Sequence, residues 1–186
     1  MKRSWAVVLW AALACGAHAV ETETQELSGR GKDDAVLWEF FCTAGMRSNV
    51  WATIPVPSCW EQQGFGAYGY QADPLKEQGK YRHRFLVPAA WQGKVIRLVF
   101  EGVMTDTEVW VNGQSAGPLH QGGFYRFAHD ITRLVTVGGT NLLEVTVAKH
   151  SANAGVNRAE RTGDYWNFGG IFRPVRLEAL PPAFID

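Results

Sequence analysis

Alternation with a period of two dominates this sequence from Trp38 onward. In "YRHRFLV", Tyr81, His83, Phe85 and Val87 fall on one face of an extended chain, with Arg82 and Arg84 on the other. "NLLEVTVAK" sets Leu143, Val145 and Val147 against Glu144 and Thr146, and "PVRLEAL" sets Val175, Leu177 and Ala179 against Arg176 and Glu178. "KVIRLVFEG" is apolar on both faces apart from Arg97, the pattern of a central strand. "TEVWVNGQSAG" carries Asn112-Gly113, the pair that best tolerates the left-handed backbone at both centres of a type I′ hairpin turn. Trp110, just before that turn, is expected to be substantially buried. No stretch has the apolar spacing of a long helix, and nothing shows a strand–helix–strand rhythm.

Strands at this spacing, punctuated by glycine pairs at 122–123, 138–139 and 169–170, predict an all-β fold, an antiparallel sandwich or jelly roll. One domain over residues 36–180 accounts for them. Hydrophobic residues make up 46% of the chain, enough for one sizeable core.

The N-terminus reads differently. Lys2 and Arg3 precede an apolar run from Trp5 to Ala14, too short to span a bilayer, and Ala17-His18-Ala19 has the small-x-small pattern of a cleavage site. Residues 1–19 are expected to be a signal peptide, so the chain is expected to be exported, periplasmic or secreted, with no membrane span. Residues 20–35 are polar and aperiodic and are expected to form a flexible lead-in. Processing would leave Cys42 and Cys59, which could pair or could stand as two separate buried thiols.

Net charge is zero, which removes the basic excess that nucleic-acid binding calls for. Phosphate-cradling, zinc-protease and serine-hydrolase motifs are absent. His83, His120, His129 and His150 lie too far apart for a local metal motif, and Glu101, Asp106 and Glu108 read as solvated edges. No metal or cofactor is expected. Aromatic residues crowd the Gly- and Gln-rich stretch from Trp51 to Tyr70. Trp51 and Trp60 are expected to anchor the core. Phe65, Tyr68 and Tyr70, on an expected loop, are candidates to stack on the apolar faces of sugar rings.

Four segments, "IPVPSCWEQQGFGAYGY", "GKYRHRFLVPAAWQGKVIRLVFEGVMTDTEVWVNGQSAG", "GGFYRFAHDITRL" and "DYWNFGGIFRPVRLEAL", occur together and in order. In this the chain resembles the N-terminal sugar-binding domain of glycoside hydrolase family 2, the group of β-galactosidases, β-glucuronidases and β-mannosidases, which implies an antiparallel jelly-roll β-sandwich of the galactose-binding-domain type. The resemblance covers roughly Trp51 to Leu180. It implies an immunoglobulin-like sandwich and a (β/α)8 barrel as further units, the barrel carrying two glutamates for retaining hydrolysis of β-glycosides. No Asn-Glu dipeptide of the family's acid/base type occurs in the sequence. Residues 181–186, opening on Pro181-Pro182, are therefore expected to start a linker, and the chain alone is expected to be inactive.

The resemblance also implies that Asp164, at the head of "DYWNFGG", reaches a non-reducing sugar in the barrel's mouth. There it could also serve a sodium ion in a full-length assembly. Asn167 is implied as a neighbouring amide contact, or as a residue that holds the turn. The family's β-galactosidases that use a second polar contact carry Asn shortly before the strand that here starts at "GKY". This chain has Lys76, Glu77 and Gln78 in its place, against strict galactose specificity. A free-standing carbohydrate-binding module and a complementing domain for a separate catalytic chain are the alternative readings.

Overall fold

The computed structural model describes residues 21–69 and 77–183. Residues 1–19, Tyr70 and Lys76 lie outside the described residues. The strands, in chain order, are β1 Glu23–Glu26, β2 Val36–Cys42, β3 Trp51–Val56, β4 Gln78–Leu86, β5 Val95–Phe100 and β6 Val103–Met104. They continue with β7 Thr107–Val111, β8 Gln114–Ser115, β9 Phe127–Asp130, β10 Thr140–Ala148, β11 Gly170–Ile171 and β12 Val175–Leu180. One short helix, α1 Ala154–Glu160, lies between β10 and β11.

Every ladder between these strands is antiparallel. One sheet has the order β1-β12-β5-β9, the other β3-β2-β4-β10-β7-β8, and β11 pairs with β6 in a small third ladder. The expected β-sandwich is the observed fold. The inward sides of the two large sheets supply its core: Trp38, Phe40 and Ile54 from one, Ile96, Leu98 and Leu177 from the other. The central strand expected from "KVIRLVF" lies between β12 and β9, with Leu98 and Val99 both buried. Asn112 and Gly113 join β7 to β8 with φ of 51° and 77°, the backbone that the type I′ reading requires.

The structure corrects four expectations. Residues 20–35 are not a loose lead-in throughout, because β1 pairs with β12 and Leu27 is buried beyond it. The strand is held by its backbone ladder and by polar contacts of Glu23 and Gln25, and Leu27 N just past it donates to Val175 O at 2.9 Å, so no apolar pattern marks it. Trp60 is fully buried, but Trp51 is 43% exposed on the outer face of β3. Trp110 is only half-buried, because Val109 and Val111 on either side take the inward positions. Phe65 is a core residue, packed edge-on against Phe40 at 4.9 Å. Cys42 and Cys59 are both free thiols, and burial pushes each up to about 11.

Candidate functional site

After β10 the chain forms helix α1 and then a turn that leads into β11. Asn153 caps α1, its side-chain oxygen accepting from Gly155 N at 2.9 Å. The turn 163–168 then carries Asp164, Tyr165 and Trp166 into solvent before β11 begins.

A buried charge cluster fastens this turn. Lys149 extends the inward register of Leu143, Val145 and Val147 by one more step, which brings an ammonium into the interior. It meets Glu61 Oε1 at 2.8 Å and Glu77 Oε1 at 3.2 Å, and its third donor goes to Ala67 O. All three ammonium donors are therefore used. Glu77 also accepts from Trp60 Nε1 at 2.7 Å and from Ala67 N at 3.1 Å. Glu61 accepts from Gly169 N, with 3.1 Å to each oxygen. Burial raises the Glu61 carboxyl above its ordinary value, and Lys149 opposes that rise.

Arg161 is buried beside this cluster. Its guanidinium donates to Lys149 O and, at 2.6 Å, to Phe168 O. Gly169 packs so closely on Trp60 that a Cβ there would lie 2.0 Å from the indole. The loop 57–69, the start of β4, the end of β10 and the turn before β11 are thus tied at one point.

The predicted site residues fall into two groups. Asp164 is exposed, and its carboxylate forms no hydrogen bond or ion pair among the described residues. Tyr68 is 47% exposed beside the turn, its ring 5.0 Å from Trp166 and 6.1 Å from Phe168. The Tyr68 hydroxyl donates to Glu61 O at 2.9 Å, which fixes the ring to the buried cluster. Asn167 is buried, and its amide donates to Arg161 O at 3.1 Å while its backbone N–H donates to Gly69 O at 3.2 Å. It braces the turn from inside. Phe65 lies in the core, and Tyr70 is outside the described residues.

Two features escaped the sequence reading. Trp166, 48% exposed, shares the surface with Asp164 and Tyr68, although it stands in the same quoted motif. Lys149 and Glu61 were also missed. A lysine continuing an inward-facing alternation was the available signal for Lys149, and Glu61 had none.

Chemically, the surface offers an open carboxylate beside half-exposed aromatic edges on an immobilised base. A carboxylate can accept from two hydroxyls at once, and the rings can cover apolar C–H faces.

The family model for the sugar binding domain of glycosyl hydrolases family 2 matches residues 38–181. A β-galactosidase of Vibrio cholerae is 34% identical over 150 residues, covering 74% of this chain and 14% of the relative. A putative β-glucuronidase of Formosa agariphila is 31% identical over 131 residues, covering 70% of this chain and 15% of the relative. Among solved structures, the β-glucuronidase of Bacteroides uniformis superposes with a TM-score of 0.64 at 28% identity, over 87% of this chain and 18% of that one. The chain thus spans about a seventh of the length of these two sequence relatives.

Proposed function

Since the chain belongs to glycosyl hydrolase family 2 through its sugar-binding domain, we propose that it supplies one wall of the sugar site of an exported β-glycosidase. Asp164 is the contact. Its carboxylate accepts hydrogen bonds from the hydroxyls of the non-reducing sugar, with Tyr68 and Trp166 flanking the ring. The catalytic carboxylates come from a barrel unit, joined in the same polypeptide or encoded separately, and the chain by itself does not hydrolyse glycosides. The relatives' names make β-galactosides and β-glucuronides the substrate classes to test first.

The observation that carries this reading is the contrast within one turn. Asn167, Phe168 and Gly169 are tied to the interior, while the Asp164 carboxylate has no internal partner among the described residues. A turn held this firmly presents its one open carboxylate in a fixed place, as positioning of a substrate requires.

The test is hydrolysis of aryl β-galactosides and β-glucuronides by the assembly of this chain with its barrel unit. Losing a charge-assisted hydrogen bond costs about 1.5–3 kcal/mol, so Asp164→Ala should raise KM roughly tenfold or more with the melting temperature unchanged. An unchanged KM on every glycoside that the assembly cleaves would sink the assignment. Export is tested separately, by N-terminal sequencing of the protein recovered outside the cytoplasm, which should begin at Val20.

A second reading draws on the Tyr68–Trp166 pair, which gives the chain a stacking surface of its own. As a free carbohydrate-binding module it would bind monosaccharide glycosides without any barrel. Titration of the chain alone, with loss of the signal in Trp166→Ala, distinguishes that case.

A further inference from the structure

The two tryptophans expected in the interior, Trp51 and Trp110, both lie on the outer face of the six-stranded sheet, where two cavities are lined by no residue of the turn 163–168. Across that face the register runs Trp51–Phe41–Lys80–Thr146–Glu108 in one row and Thr53–Glu39–Arg82–Glu144–Trp110 in the next. Two cavities open here, of about 390 Å³ and 320 Å³. Both are lined by Arg82 and Glu144, so they are halves of one groove. Leu37, Arg84 and Leu142 line one half, and Trp51, Lys80 and Trp110 line the other.

Outer strand positions beside solvent ordinarily carry polar side chains. Here two indoles, one 43% exposed, flank a polar floor. Arg82 is held in place, with its guanidinium 4.4 Å from the centre of the Trp51 ring and its Nε 3.0 Å from Glu144. Lys80, Arg82 and Arg84 project from the same side of β4 at every second residue, a line of about 13 Å. Glu144 answers Arg82, but Lys80 and Arg84 form no ion pair among the described residues. The groove therefore offers aromatic walls, ordered donors and acceptors, and three lining cations, Lys80, Arg82 and Arg84, against two lining carboxylates, Glu39 and Glu144, which leaves it net positive.

We infer that this groove is a second carbohydrate site, carried entirely by this chain and independent of the Asp164 turn, and that it binds an extended acidic oligosaccharide. Sugar rings pack on Trp51 and Trp110, hydroxyls bond Arg82, Glu144 and Thr146, and the ligand's carboxylates or sulfates meet Lys80 and Arg84. The groove is long enough for more than one ring, so affinity rises with chain length.

The test is titration of the full chain with a short oligogalacturonate and with a neutral cello-oligosaccharide of equal length, read by calorimetry and tryptophan fluorescence. The acidic oligomer should bind more tightly, and added salt should weaken it. Trp51→Ala should lower its affinity roughly tenfold. Lys80→Ala with Arg84→Ala, at two exposed positions that the fold does not need, should do the same. No binding at millimolar oligosaccharide would overturn the inference, and equal affinity for the neutral oligomer would overturn its acidic specificity. A signal lost in Asp164→Ala but kept in Trp51→Ala would place the ligand at the turn, which leaves the proposed function standing and removes this site. Concentration-dependent self-association abolished by Trp51→Ala would instead make the face a contact between copies of the chain, and would likewise overturn it.

Discussion

Lys149 Nζ and Glu61 Oε1 lie 2.8 Å apart, with neither side chain exposed to solvent. Taking both charges out of water costs several kcal/mol, which their attraction repays only when every remaining donor and acceptor is satisfied. Here Glu77, Trp60, Ala67 and Gly169 complete that satisfaction. The pair's role is therefore positional: it sets where the loop 57–69 and the turn before β11 meet.

Removing one partner strands the others. Lys149→Met leaves two buried carboxylates without their cation, and the expected loss of stability is about 3–5 kcal/mol. Chemical denaturation measures it. Lys149→Met combined with Glu61→Gln and Glu77→Gln should recover part of the loss, because neutral amides need no counter-charge.

Acid should destabilise the fold through its histidines. His150 is buried beside Lys149 and Arg161, and burial first, then these two cations, pull it down to about 4 from its ordinary 6.5. Between those values the unfolded chain takes up a proton that the folded chain refuses. This contribution is fully present above pH 6.5 and is lost as pH falls towards 4. Burial also lowers His83, His120 and His129, which act with the same sign. The melting temperature should drop across this window, and His150→Gln should make the drop shallower.

Side-chain burial reorders the expected tryptophan effects. Trp60 is fully buried, and Trp60→Ala should cost about 3–5 kcal/mol. Half-buried Trp110 should cost clearly less when replaced by alanine. Equal losses in denaturant titrations of the two variants would contradict the placement of Trp110 on the outer face.

At the β7–β8 turn, Gly113 has φ of 77°, and the position that a Cβ would take lies in open space, with no atom within 4 Å. Gly113→Ala then meets only a backbone penalty, about 1–2 kcal/mol, without a steric clash. Thermal unfolding of that variant reads it directly.

Most of the sandwich was legible in the sequence because alternation reports which side of a strand is buried. The inward positions of β4, β10 and β12 follow it residue by residue. The same rule already placed Trp110 outside, between inward Val109 and Val111, and Trp51 outside, opposite inward Ile54 and Val56. The expectation of Trp51 as a core anchor and of Trp110 as substantially buried did not apply that rule. Strand β1 was illegible because backbone pairing and polar contacts, Glu23 with Trp91 and Lys94 and Gln25 with Leu86 O, hold "ETQE" on the sheet edge without an apolar pattern. At the candidate site the motif identified Asp164, but not the division of labour within the turn. That Asn167 faces inward and Trp166 outward depends on contacts with Arg161, Gly69 and Tyr68, which no local pattern reports.

The most direct test compares kcat/KM for an aryl β-glycoside in the assembly of this chain with its barrel unit, between Asp164→Ala and Asp33→Ala, a control at an exposed acid far along the chain from the turn. If Asp164 is the sugar contact, Asp164→Ala lowers kcat/KM roughly tenfold or more while Asp33→Ala matches the unaltered assembly. Equal activity in both variants, with both folded, would contradict it.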